Sequence, residues 1–188
     1  MDTFDLRTLG KPRGDNTPGL RGFVLLAEED DFDVIAKAPK TSSTPGATAI
    51  IATAHTFKPN KGFVKVYITL DSNQLKADIV GERDGRGTKI TFEGFHPGNE
   101  AVALEFANKV KNLGLIMLVP DADGTYLQVG SEGLPVELAP NYDSAKLSSG
   151  RRGFTVKGEA YATGLVIYNA AIQMKVEPSP TPEEEEGG

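Results

Sequence analysis

The segment GFVKVYITL at 62–70 repeats with a period of two. Val64, Val66, Ile68 and Leu70 fall on one side, and Phe63, Lys65, Tyr67 and Thr69 on the other. This alternation, with its β-branched residues, predicts a strand with one wholly apolar and one mixed face, as in an antiparallel sheet covered on one side. Similar runs recur at 22–26, 32–35, 49–52, 75–80, 89–93, 115–119, 125–129, 134–138, 153–160 and 165–168, and residues 171–176 read as an extension of the last. Asp71-Ser72-Asn73 and Asp84-Gly85 supply turns, so the strands from 62 to 93 read as a meander. Gly (21) and Pro (12) in 188 residues exceed the usual ~12% and fit many turns.

One segment breaks the pattern. Val102, Phe106, Val110 and Leu113 recur at helical spacing, with Ala103 and Ala107 beside them. Pro97 suits the first turn, Asn99 the cap and Gly114 the stop, so the spacing predicts a helix over 98–113, packed on its own sheet. The expected fold is mainly β: an antiparallel sandwich or partly closed barrel with one flanking helix. A single domain is expected over 1–176, with long loops at 10–21 and 37–61. Loops of that length are usually functional or disordered; these read either as flexible surface loops or, if the chain assembles, as segments folded against neighbouring subunits.

The net charge of −6 misrepresents the body of the chain. Residues 177–188 hold five acids and no base; without them 21 acids face 20 bases. PSPTPEEEEGG therefore reads as a disordered acidic tail. A near-neutral body argues against gripping nucleic acid by its phosphates. No stretch reaches the ~18 apolar residues of a membrane span, and MDTFDLRTLGK lacks the pattern of a secretory signal. Arg13-Gly14-Asp15 lies in a Gly/Pro-rich stretch and reads as loop.

Reactive constellations are scarce. With no cysteine, thiol nucleophiles, thiolate metal sites and disulfides are excluded. His55 and His96 lack a metal-type partner spacing and read as structural. Ser131 sits outside a G-x-S-x-G elbow. Asp121-x-Asp123-Gly124 resembles the start of a calcium loop, but position 130, where the distal Glu belongs, is Gly, so a hairpin turn is expected. Glu28, Glu29, Asp30, Asp31 and Asp33 could offer oxygen ligands to calcium, but read as a solvated turn. Gly10-Lys11 lacks the rest of a P-loop, and Gly85-x-Gly87 precedes a strand. Only Arg83/Arg86 and Arg151-Arg152 gather positive charge. No catalytic, cofactor or metal residue is assigned, and no enzyme is expected.

From the helix onward the order of elements is distinctive: an apolar strand, Val119-Pro120-Asp121-Ala122-Asp123-Gly124-Thr125-Tyr126-Leu127-Gln128-Val129-Gly130-Ser131, a polar loop from Ala139 to Gly150, then Arg151-Arg152-Gly153-Phe154-Thr155-Val156-Lys157-Gly158-Glu159. Over about residues 88–170 this resembles small virion proteins of tailed phages and prophages, especially tail-tube-like proteins of phages of Bacteroidetes-type bacteria. The resemblance implies a β-sandwich with a flanking helix, assembling as hexameric rings stacked around a channel through which DNA passes as non-specific cargo. It further implies contacts with other virion proteins, a place in the virion after synthesis in a bacterial cytoplasm, and no membrane partner. The alternatives are a capsid- or neck-associated virion protein, or a non-catalytic β-barrel module binding a small ligand or carbohydrate.

Overall fold

The computed structural model describes residue 9, residues 16–148 and residues 150–176. The expected tail at 177–188, Gly10-Lys11 and the Arg13-Gly14-Asp15 tripeptide lie outside the described residues. In chain order the strands are β1 (Phe23–Glu28), β2 (Phe32–Val34), β3 (Ile50–Ile51), β4 (Thr56–Phe57), β5 (Val64–Tyr67), β6 (Gln74–Val80), β7 (Gly87–Pro97), β8 (Gly114–Pro120), β9 (Tyr126–Val129), β10 (Val136–Asp143), β11 (Gly153–Ala162) and β12 (Val166–Tyr168). Helix α1 (Ala101–Val110) lies between β7 and β8, and short 3-10 turns occupy Glu29–Asp31 and Ala47–Ala49. The fold is mainly β with one α-helix and an open, multi-stranded sheet.

β8 organises the sheet. One of its edges pairs antiparallel with β1 (Leu25 opposite Leu118), and β1 pairs in turn with β5. The other edge pairs first with β9 (Met117 opposite Val129) and then with the start of β10 (Leu115 opposite Val136). Two residues along β8 thus span seven along the facing chain, because residues 130–135 bulge out as a small loop pinned between Ser131 and Leu134. β10 then leaves β8 for β11, which pairs with β7, which pairs with β6. β9 leads the other way to β12 and β3. Thr69 N–H donates to the Phe95 carbonyl at 2.8 Å, bringing the end of β5 back to β7. No ladder joins those two strands among the described residues, so the barrel stays open.

This routing leaves β8 with a core on each face. Leu115, Met117 and Val119 join Val24, Leu26, Ile90, Phe92, Val136, Phe154 and Val156 in the larger core. Ile116 and Leu118 join Leu25, Ala27, Phe32, Ile51, Phe57, Phe63 and Tyr168 in the second. From Ile116 to Val119 every residue is 0% exposed. A strand covered on both sides needs a continuous apolar run, which LIMLV supplies.

Several expectations are corrected. The helix is shorter than 98–113; Glu100 rather than Asn99 holds the cap position, and Gly114 opens β8 instead of stopping the helix. The packed stripe is Ala103, Phe106, Ala107 and Val110, while Val102 is 75% exposed. The strands from 62 to 93 are not one meander: β6 and β7 form a hairpin, but β5 pairs with β1, where Val64 and Val66 pack against the larger core. Phe63, assigned to the mixed face, is wholly buried in the second core, and Leu70, assigned to the apolar face, is exposed. β10 runs on through Asp143 into the stretch read as polar loop, held there by β11. Residues 171–176 do not lengthen β12; Met174 bridges to Phe63 instead. The 37–61 stretch sends Ile51, His55 and Phe57 into this chain's own interior, although Lys37 and residues 39–46 are largely exposed.

Gly130 sits where the chain leaves β9. Its φ is +88°, and a Cβ there would lie 2.8 Å from the Leu115 carbonyl oxygen and 3.1 Å from the Val136 nitrogen. Gly130→Ala should therefore cost about 1–3 kcal/mol of stability, read as a lower urea midpoint. Gly133→Ala, in the same loop but in open space, should cost less.

Candidate functional site

His55 is the most completely bonded polar group of the interior. The Ala36 N–H donates to Nδ1 at 3.0 Å, which makes Nδ1 the acceptor and leaves the proton on Nε2. Nε2 in turn donates to Gln128 Oε1 at 3.0 Å, and Gln128 Nε2 donates to the Gly130 carbonyl at 3.1 Å. The ring stacks on Tyr168 at 4.6 Å between centroids, and Tyr168 Oη accepts from the His55 N–H and donates to the Ala171 carbonyl. Burial holds the imidazole pKa below its ordinary value and raises that of the Tyr168 phenol. His55 is therefore a neutral bolt joining the 37–61 stretch, β9 and the segment after β12. Gln128 and Tyr168, its partners, carry no sequence signal, being 73 and 113 residues away. His96 has a lesser role: its Nδ1 donates to the Tyr67 carbonyl at 2.8 Å.

The carboxylates are dispersed rather than convergent. Asp123 Oδ1 accepts the Thr125 N–H at 2.7 Å, which lowers its pKa, and Gly124 N–H donates to the Asp121 carbonyl at 2.9 Å. Asp121 to Thr125 is thus a hairpin turn between β8 and β9. In the acidic segment, Glu29 Oε1 accepts the Gly133 N–H at 2.6 Å and Asp31 pairs with Lys61 at 2.7 Å, so these two carboxylates point to different partners. Among the described residues no three His, Asp or Glu side chains gather as a metal set. Ser131 is engaged through its backbone with Leu134. Arg151 lies over the Phe95 ring at 4.0 Å, and Arg83, Asp84 and Arg86 occupy the β6–β7 hairpin tip. No described helix is long and apolar enough to cross a membrane.

The outward face of β6, β7 and β11 holds a shallow depression of ≈ 240 Å³ whose rim is polar: Gln74, Lys76, Thr91, Glu93, Lys157 and Glu159. Its charges alternate in sign, with Lys157 3.8 Å from Glu93 and Lys89 2.9 Å from Glu159. Such a surface offers neither an apolar cleft for a small ligand nor a basic track for phosphate.

The strand edges differ sharply in how they are finished. At one end of β5, the Phe63 N–H donates to the Gln173 carbonyl and the Lys175 N–H to the Phe63 carbonyl, both at 2.9 Å. At its other end the contacts from Thr69 to Phe95 and from His96 to Tyr67 close the edge. β3 has two residues only, and β10 beyond Glu137 is flanked by α1. β6 is different: from Gln74 to Val80 its far edge meets no described strand. Its Leu75, Ala77 and Ile79 stand opposite Phe92, Ile90 and Thr88, on the core side of the sheet. Yet Ala77 is exposed, and Ile79 is 67% exposed. An edge strand with an uncovered apolar face and no inward charge is the kind that pairs with another chain. The alternation along 75–80 was legible in the sequence; that the strand ends the sheet was not.

No protein-family model, curated protein or solved structure matches the chain.

The His55 bolt makes stability pH-dependent. Unfolded, the ring takes up a proton near pH 6.5; folded, it does so only at lower pH. Below that value the unfolded chain binds more protons, so stability falls with pH; the full contribution is present above about pH 6.5. The urea midpoint should drop between pH 7 and 5. His55→Gln should lower the midpoint at pH 7 and flatten that slope; an unchanged slope would show that the drop has another source.

Proposed function

We propose that this protein is a structural subunit that acts by assembling with copies of itself, with no reactive group, as a tail-tube subunit of a phage virion. In this reading, hexameric rings stack around a channel for DNA, as the resemblance over residues 88–170 implies. The observation that carries self-assembly is the open edge of β6 beside uncovered Ala77 and Ile79. A monomer gains nothing from leaving that edge bare, whereas a subunit completes its sheet on docking.

Two further features support the reading. The mixed-sign outer face carries no strong basic field, which suits a conduit that must not hold the phosphates passing by it. The larger core is filled by side chains such as Ile90, Phe92, Met117 and Val156, so the barrel interior serves packing rather than ligand binding. A tube needs one contact within each ring and another between rings, so the ring and its stacking call on surfaces beyond the β6 edge.

Negative-stain images of the full chain, concentrated after purification, should show rings or short tubes. Particles that remain monomeric at every concentration, by light scattering after gel filtration, would overturn the reading.

A further inference from the structure

The β6 edge is chemically self-complementary. Place two copies of β6 antiparallel about a two-fold axis at Ala77. Lys76 of one copy then stands opposite Asp78 of the other, and Asp78 opposite Lys76, while Leu75 and Ile79 also face each other twice. The two sets lie on different faces. Lys76 and Asp78 pair with Thr91 and Lys89 on the outward side, whereas Leu75, Ala77 and Ile79 pair with Phe92, Ile90 and Thr88 on the core side. Alternation therefore puts both charge pairs on one surface of the joint and both apolar pairs on the other.

We propose that two copies of this chain join through β6, antiparallel and centred on Ala77, into one continuous sheet running β11-β7-β6 and on through β6-β7-β11 of the second copy. Lys76 and Asp78 are exposed, and neither forms a salt bridge among the described residues; Lys89, which faces Asp78 across the hairpin, has Glu159 as its ion-pair partner at 2.9 Å. Asp78 also acts on Lys89 through space, so the Lys76 of a second copy would compete with Lys89 for its carboxylate, whereas Lys76 has no such partner among the described residues. The joint also covers Ile79, an apolar side chain of the core-side row that is 67% exposed. A shift of the register by two residues would place Lys76 opposite Lys76 or Asp78 opposite Asp78, so like-charge repulsion selects the centred register. A two-fold contact closes on two copies, so growth around a ring needs a different surface. The inference rests on the self-assembly reading but not on the ring.

The test is a charge exchange on the full chain, with mass measured by sedimentation equilibrium and fold checked by circular dichroism. Lys76→Asp and Asp78→Lys should each put like charges opposite one another twice and weaken the dimer about tenfold. The double variant Lys76→Asp/Asp78→Lys should restore association, because the two-fold pairs are re-formed with reversed sign. Ile79→Lys should weaken the dimer as well, by placing a charge in the apolar row. Rescue by the double exchange is specific to this register. Rings or tubes that are insensitive to all four variants would overturn the β6 pairing while leaving the assembly reading intact. Dimers that obey the exchange but never form rings would uphold the pairing and overturn the tube. A strictly monomeric chain would overturn both.

Discussion

Burial of β8 on both faces is the constraint from which the rest follows. The run from Ile116 to Val119 meets no solvent at all, and each such side chain is worth about 1.5–3 kcal/mol relative to exposure. The exposed ion pairs, such as Lys37–Glu132 and Lys157–Glu93, stand in solvent, where screening leaves such a pair little to contribute. Apolar packing on β8 therefore outweighs surface electrostatics. It also dictates topology: both edges must be paired and both faces covered, which recruits β1, β9 and β10 alongside it and the 37–61 stretch above it.

The bulge at 130–135 reconciles those demands. It lets one chain segment serve two directions, β9 toward β12 and β10 toward β11. Gly130 makes the departure possible because its left-handed backbone approaches the Leu115 carbonyl too closely for a side chain. Glu29 caps the loop through the Gly133 N–H, so part of the acidic segment works as local carpentry rather than as a cation site. His55 and Gln128 secure the neighbouring end of β9 from the second core, the latter through the Gly130 carbonyl.

Period-two alternation located most strands, because alternation and burial share a cause on a half-covered sheet. β6, β9 and β11 fall within a few residues of where the pattern puts them. Of the expected helix stripe, Phe106, Val110 and Leu113 pack with Ala103 and Ala107, and only Val102 points away: it has the right chemistry at the wrong angle, whereas Ala103 has the right angle with little hydrophobic weight. Phe63 departs from its expected face because a single strand cannot reveal a second core on its far side, and Leu70 because β5 ends at Tyr67 and leaves it in the turn that follows. The pairing of β5 with β1 rather than β6 is long-range information that no local pattern contains. The same holds for the candidate site: the chemistry of Leu75 to Ile79 is in the sequence, but its place at the rim of the sheet depends on every other pairing.

The second core draws its lining from opposite ends of the described chain. Ile51 lies beside Tyr168 in a parallel pair, Phe63 is bridged to Met174, and His55 waits for both Gln128 and Tyr168. On the ribosome, the Ile51–Tyr168 and Phe63–Met174 closures wait until residues 168 and 174 have emerged. Until then Phe32, Phe57 and Phe63 lack their cover, and the nascent polypeptide carries an unfinished greasy flank. Such distant closures fold slowly, so maturation of this core waits on the segment from 168 to 174, and a product cut short before it would be prey for proteases and chaperones.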